Sequence, residues 1–280
     1  MEGLRRSDLP LLFHWIHARV LVILRTPRTA FFGLIFPLIL LALLNATNSG
    51  NSVTVAGGKV DFAQYFTPSI GVYALAISCF TTPIFGLANA RSLGILKRIR
   101  GTPVSPWIYL TSWLAAGILT GLAAMTVMVV VSVPAFHLHI YPRLLPAAVI
   151  TAVLGAATLG ALGLAVSTFV RRPETAPTIA NLTLFPVLFL SGVFFPLQNA
   201  PGWTVTVAHL LPLSHLVEAF TACFSPHTGG SGFAAKDLAV MAAWGIGALA
   251  FAARRFTWEA ESPEDAPHRA GGLRSILQRS

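Results

Sequence analysis

YFTPSIGVYALAISCFTTPIFGLANARSLGILKRIR, residues 65–100, decides the fold class. Residues 65–88 carry no Asp, Glu, Lys or Arg, whereas the stretch behind them holds Arg91, Lys97, Arg98 and Arg100. About 20 apolar residues are enough to cross the hydrocarbon of a bilayer as a helix, the form in which each backbone polar group is satisfied within its own segment. The basic cluster that follows keeps its end of the helix in the cytoplasm.

The same pattern recurs along the chain. Apolar runs fall at 29–46, 107–133, 145–169, 175–195 and 235–253, separated by charge or by Gly/Pro punctuation. The 280 residues are 55% hydrophobic and 10% charged, with a mean hydropathy of +0.71. A soluble domain has about 25% charged residues. The expected fold class is an all-α membrane protein with six transmembrane helices, since the runs are too long and unbroken for a membrane β-barrel.

Net charge +9 and a pI near 10.6 would suggest nucleic acid as the partner of a soluble protein. Here the distribution explains the excess. Arg5, Arg6, Arg19, Arg25 and Arg28 precede the first run, Arg171 and Arg172 follow the fourth, and Arg254, Arg255, Arg269, Arg274 and Arg279 follow the last. With the cluster after residue 88 these make sixteen of the nineteen Lys and Arg, leaving Lys59, Arg143 and Lys236 for the other side. Both termini are therefore expected in the cytoplasm of a multi-pass protein of the cell membrane, with no nucleic-acid partner.

Three parts are expected: a cytoplasmic segment 1–28, a six-helix membrane domain 29–255, and a cytoplasmic tail 256–280. Within the first part, Leu9, Leu12, Phe13, Ile16, Val20 and Leu24 fall on one helical face, opened by a Ser7/Asp8 cap and Pro10. That suits an amphipathic helix lying in the interface with Trp15 near the headgroups; a tilted extension of the first span is the alternative. Pro37 and Pro83 are candidate kinks, and Gly117 and Gly121 a small-residue pair for close helix packing.

Several chemistries are missing. Gly57-Gly58-Lys59-Val60 lacks the earlier glycine and the Ser/Thr of a phosphate-binding loop, so no nucleotide is expected on this chain. His14/His17 and His137/His139 lack nearby further ligands, and no metal is expected. Gly230-Ser231-Gly232 does not have the spacing of a nucleophile elbow. The interiors of the runs contain no Asp, Glu, Lys or Arg for ion-coupled transport; Glu174 sits at a mouth, and Glu218 lies deeper only if its segment re-enters.

Two segments point to a function. In NARSLGILKRIRGTPVSPWIY, 89–109, a short helix from Arg91 to Ile99 would display Leu93, Leu96 and Ile99 among Lys97, Arg98 and Arg100, stopped by Gly101. It offers an apolar knob and cations to a soluble partner, or it only pins topology. In SGVFFPLQNAPGWTVTVAHLLPLSHLVEAF, 191–220, Pro196, Pro201 and Pro212 break an apolar stretch into pieces too short to cross. Two external re-entrant helices are expected, with His215 and Glu218 hydrogen-bonded at one-turn spacing; a loop on the lipid surface is the alternative.

Those two segments and RTPRTAFFGLIFPLIL behind the amphipathic helix, in that order, resemble the ABC-2 type permeases of the daunorubicin-resistance exporter kind. The resemblance covers roughly residues 10–255. It implies a transport subunit without catalysis of its own, paired with a second permease, identical or homologous, and resting on two copies of an ATPase subunit that bind ATP and magnesium. Arg91, Leu93, Leu96, Lys97, Arg98, Ile99, Arg100 and Gly101 then match the coupling helix, and Pro196, Pro201, Pro212, His215 and Glu218 the external re-entrant helices. Aromatic residues of spans one, two and five, Phe32, Phe36, Tyr73, Phe80, Phe185, Phe189 and Phe194, are the candidates for a path holding hydrophobic or amphiphilic cargo such as a drug, lipid or lipid-linked glycan. A membrane scaffold that binds a soluble partner without moving cargo is the competing expectation.

Overall fold

The computed structural model describes residues 8–25, 31–48, 50–95, 98, 106–170 and 172–255. Nine α-helices and one β-hairpin are found among them: α1 Asp8–Arg25, a π turn Phe31–Ile35 running into α2 Phe36–Thr47, β1 Ser52–Val55, β2 Gly58–Asp61, α3 Phe62–Ser92, α4 Pro106–Phe136, α5 Leu145–Ser167, α6 Ala176–Leu190, α7 Gly202–Ala208, α8 Pro212–Ala222 and α9 Ala235–Arg255. The tail 256–280 and residues 1–7 lie outside the described residues.

Four helices are long and apolar enough to cross a membrane, at 62–92, 108–136, 142–167 and 235–255, and the bent pair α7–α8 makes a fifth if it is one broken span. The runs at 29–46 and 175–195 give shorter helices. At 1.5 Å per residue the π turn plus α2 rises roughly 25 Å and α6 roughly 22 Å, below the hydrocarbon thickness of about 30 Å. Pro37 stands two residues beyond the π turn inside a continuous helical run, where its missing N–H leaves a carbonyl of that turn without its helical donor, so the irregularity expected of it falls at the junction between π turn and α-helix. Pro83 does lie inside α3, with Pro68.

α3 is the central pole. It runs antiparallel to α4 and alongside α5, which in turn packs on α9. Small residues set these distances. A Cβ on Gly121 would stand 2.8 Å from Cys79 Sγ, one on Gly117 3.3 Å from Thr82 Cβ, and one on Gly86 2.4 Å from the Trp113 ring. Gly117 and Gly121 thus serve packing within the chain. Between α5 and α9, Thr158 Oγ1 donates to the Met241 carbonyl at 3.0 Å beside Gly245.

One end of the bundle is built around the hairpin. Its turn, Ala56-Gly57, has φ of 51° and 81°; glycine adopts this readily, alanine at a cost. Gln64 at the start of α3 fastens two further loops: its Nε2 donates to the carbonyls of His139 and Phe224, each at 2.6 Å, and its Oε1 accepts from the His139 N–H. Arg143 donates to the Pro226 and Thr228 carbonyls. The opposite end gathers Arg25, Arg91, Arg98, Arg254 and Arg255.

α1 packs on α4 through Trp15 and Arg19. Arg19 is buried, its guanidinium 3.8 Å from the Trp113 ring centroid and 4.4 Å from that of Tyr109, and its Nε donates to Ser112 Oγ at 2.8 Å. Trp15, expected near the headgroups, meets Tyr109 edge-on, and Phe13 of the apolar face is 69% exposed. A guanidinium sandwiched by rings gains cation–π attraction on top of its hydrogen bond. Arg19→Ala is expected to cost about 2 kcal/mol, and Arg19→Lys to recover less than half of that, in thermal unfolding of the detergent-solubilised protein.

Candidate functional site

At the hairpin end, each break proline opens an element. Pro196 precedes the 3-10 turn Leu197–Asn199, Pro201 caps α7, and Pro212 stands in the first turn of α8, all positions that need no N–H. α7 and α8 meet at 93°. Ser214 fixes the corner by donating to the carbonyls of Ala208 and Leu211.

His215 does not pair with Glu218. Its Nδ1 lies 2.7 Å from Asp237 Oδ1, and its Nε2 3.0 Å from the His209 carbonyl oxygen. Glu218 instead faces His209, with 3.9 Å between Oε1 and Nδ1. One-turn spacing within α8 loses to a tertiary partner because Asp237, in the first turn of α9, is held against a ring that is only 3% exposed. That contact ties the bent pair to α9. His215→Ala, which leaves a partly buried carboxylate without its partner, is expected to cost about 2–3 kcal/mol, whereas Glu218→Gln leaves the unfolding temperature unchanged.

Four of the sequence-predicted aromatics form a continuous ladder. Ring centroids are 6.3 Å apart for Phe36 and Tyr73, 5.5 Å for Tyr73 and Phe194, and 5.0 Å for Phe194 and Phe189. The ladder runs from the exposed face of α2, through buried Tyr73 of α3 and the half-buried Phe194 loop, to exposed Phe189 of α6. Phe80 is buried in the core and Phe185 is exposed on α6; among the described residues no ring contact joins either to the ladder. The side chain of Phe32 lies outside the described residues.

At the basic end, α3 runs through Arg91 and Ser92 and stops at Leu93, where the following Gly94 takes φ +64° as a helix terminator. Beyond it Ile95 and Arg98 are helical, the Arg98 N–H bonded to the Gly94 carbonyl at 3.2 Å. The expected helix from Arg91 is therefore displaced: Arg91 belongs to the long helix, and its Nη1 donates to the Ser167 and Val170 carbonyls at 2.7 Å each, capping the C-terminus of α5. Leu93 and Arg98 are exposed. Leu96, Lys97, Ile99, Arg100 and Gly101 lie outside the described residues. Arg91→Ala is expected to cost about 2 kcal/mol by stripping two carbonyls of a charged donor, read in thermal unfolding.

A bundle of long apolar helices, a basic end and a broken apolar pair at the opposite end are together what a membrane transporter subunit needs. A family model described as "ABC-2 family transporter protein" matches residues 37–254. The chain belongs to that family. As an ABC-2 transporter protein it is a multi-pass membrane component of a transport system. It is similar to the protein described as "Probable multidrug ABC transporter permease YbhR" of Escherichia coli, from strain K12 and from O157:H7, at 19% identity over 160 residues in each case. The match covers 57% of this ABC-2 chain and 43% of YbhR, so the aligned part is less than half of that relative's length.

Proposed function

We propose that this chain is the permease subunit of an ATP-driven exporter of hydrophobic or amphiphilic compounds in the cell membrane. In this reading α2 and α6 complete a set of six spans, both termini face the cytoplasm, and the basic end is the inner one. ATP is hydrolysed by a separate subunit, present twice, and two permease chains, identical or homologous, face each other across the path. Closure of the ATPase pair would push on the basic segment behind α3 and rock the bundle.

The observation that carries the reading is the ladder Phe36–Tyr73–Phe194–Phe189 in a chain of the ABC-2 family. Its rings join the two short helices to the central pole and run toward the broken pair, which gives flat apolar cargo a row of contacts without fixing its identity. Aromatic contacts of this kind are each worth about 0.5–1.5 kcal/mol, so Phe189→Ala is expected to lower transport of a fluorescent amphiphile about three- to tenfold in vesicles holding the assembled transporter. Ile246→Ala, exposed on α9, is the control and should transport normally. An unaltered rate in Phe189→Ala would remove the ladder from the path.

A further inference from the structure

The hairpin end contains a cavity of about 310 Å3 between the hairpin tip, the first turn of α3, the loop after α6 and one face of α8. That volume is at the lower end of the range for small-ligand sites. The side-chain donors lining it are mostly engaged in closing its walls. Gln198 Nε2 donates to the Thr54 carbonyl, Tyr65 Oη to the Gly192 carbonyl at 2.5 Å, and Thr221 Oγ1 to the Val217 carbonyl at 2.7 Å. Tyr65 and Thr221 then have only acceptor lone pairs left, and Gln198 keeps its Oε1 acceptor beside one further N–H.

Two more groups sharpen the chemistry. Glu218 is the carboxylate of the cavity; its nearest ionic contact, His209 at 3.9 Å, is beyond hydrogen-bond length. Ser191 lines the same cavity with a wholly buried Oγ that has no hydrogen-bond partner. A buried hydroxyl without a protein partner takes one from a water or from a ligand in the cavity.

We propose that this cavity binds a primary ammonium group, with Glu218 as counter-ion and Ser191, Tyr65 and Gln198 as acceptors for its N–H bonds. An ammonium has three donors and no acceptor, the complement of this lining. An anionic ligand would meet the Glu218 carboxylate. A divalent cation takes six or more oxygen ligands, to which this lining contributes one carboxylate. Phe194 stands two residues before Pro196 of the cavity wall, so an apolar chain attached to the amine has the ring ladder beside it. This inference goes beyond the export reading by naming the head group taken at the hairpin end, and the site is testable without transport.

The test is calorimetric titration of the full chain in phosphatidylcholine nanodiscs, with no ATPase present, using octylammonium and the uncharged 1-octanol. Octylammonium is expected to bind at least tenfold more tightly than octanol, and Glu218→Gln to erase that preference. Ser191→Ala is expected to weaken octylammonium several-fold at an unchanged melting temperature, because the empty site loses no hydrogen bond. Adding phosphatidylethanolamine to the nanodiscs separates two sources of the ammonium: a fall in apparent octylammonium affinity marks a lipid head group, and an unaltered affinity a free amine. Equal binding of octanol and octylammonium, or a preference that survives Glu218→Gln, would overturn the proposal. Either result leaves the transport measurement on Phe189→Ala independent.

Discussion

Gly163→Ala is expected to destabilise the protein by about 3 kcal/mol and to reduce recovery of folded material from the membrane. A Cβ at that position would lie 2.2 Å from the Phe80 carbonyl oxygen, 2.9 Å from the Phe80 carbonyl carbon and 2.9 Å from Pro83 Cγ. Two of those three atoms are backbone of the central helix α3, so no rotamer change relieves the clash and the seam between α3 and α5 must open. Opening it also draws Ser167 and Val170 away from Arg91, which caps α5 from the end of α3. The comparison is Gly247→Ala on α9, where nothing stands within 4 Å of the added methyl. That variant is expected to gain up to about 1 kcal/mol from helix propensity. Thermal unfolding of both variants in one detergent measures the difference, and equal melting temperatures would show that α3 and α5 are not packed as described.

The second large effect is functional. Exchanging Lys97 and Arg98 for glutamate is expected to lower substrate-stimulated hydrolysis by the co-purified ATPase subunit at least tenfold while the permease keeps its melting temperature. Arg98 is exposed, whereas Arg91 is tied to the C-terminus of α5. The two roles separate cleanly: Arg91→Ala acts on unfolding, the double reversal on coupling. If the basic segment only pins topology, hydrolysis stays coupled in correctly inserted chains, and cysteine accessibility reports part of the population inverted. A scaffold that moves no cargo would show no nucleotide dependence in either variant.

Hydropathy alone located the four long spans, because a predominantly apolar run of about 20 residues satisfies its backbone in lipid as a helix. It was less informative where tertiary contacts decide. Strands of four residues are too short for such a reading, and the alternation of Val53 and Val55 opposite Val60 across Ala56-Gly57 was the available signal for the hairpin. Arg19 read only as one of the basic residues ahead of the first run, since a sequence does not show that Trp15, Tyr109 and Trp113 will enclose it. His215 was paired with the carboxylate one turn away, whereas its partner stands 22 residues along the chain on another helix. The aromatic candidates were legible by residue type; which four touch depends on the loop after α6 returning Phe194 to Tyr73. The gap in the phosphate-loop pattern at Lys59 fits its place as the hairpin residue opposite Thr54.

The central claim is that this chain supplies the membrane passage of an exporter and takes its driving force from another subunit. The direct measurement is uptake of a fluorescent amphiphile into sealed vesicles containing the purified full chain by itself, with ATP outside and no ion gradient. The account predicts no accumulation above protein-free vesicles, and accumulation only once an ATPase subunit is assembled on the basic end. Sustained uphill accumulation by the chain alone would contradict it.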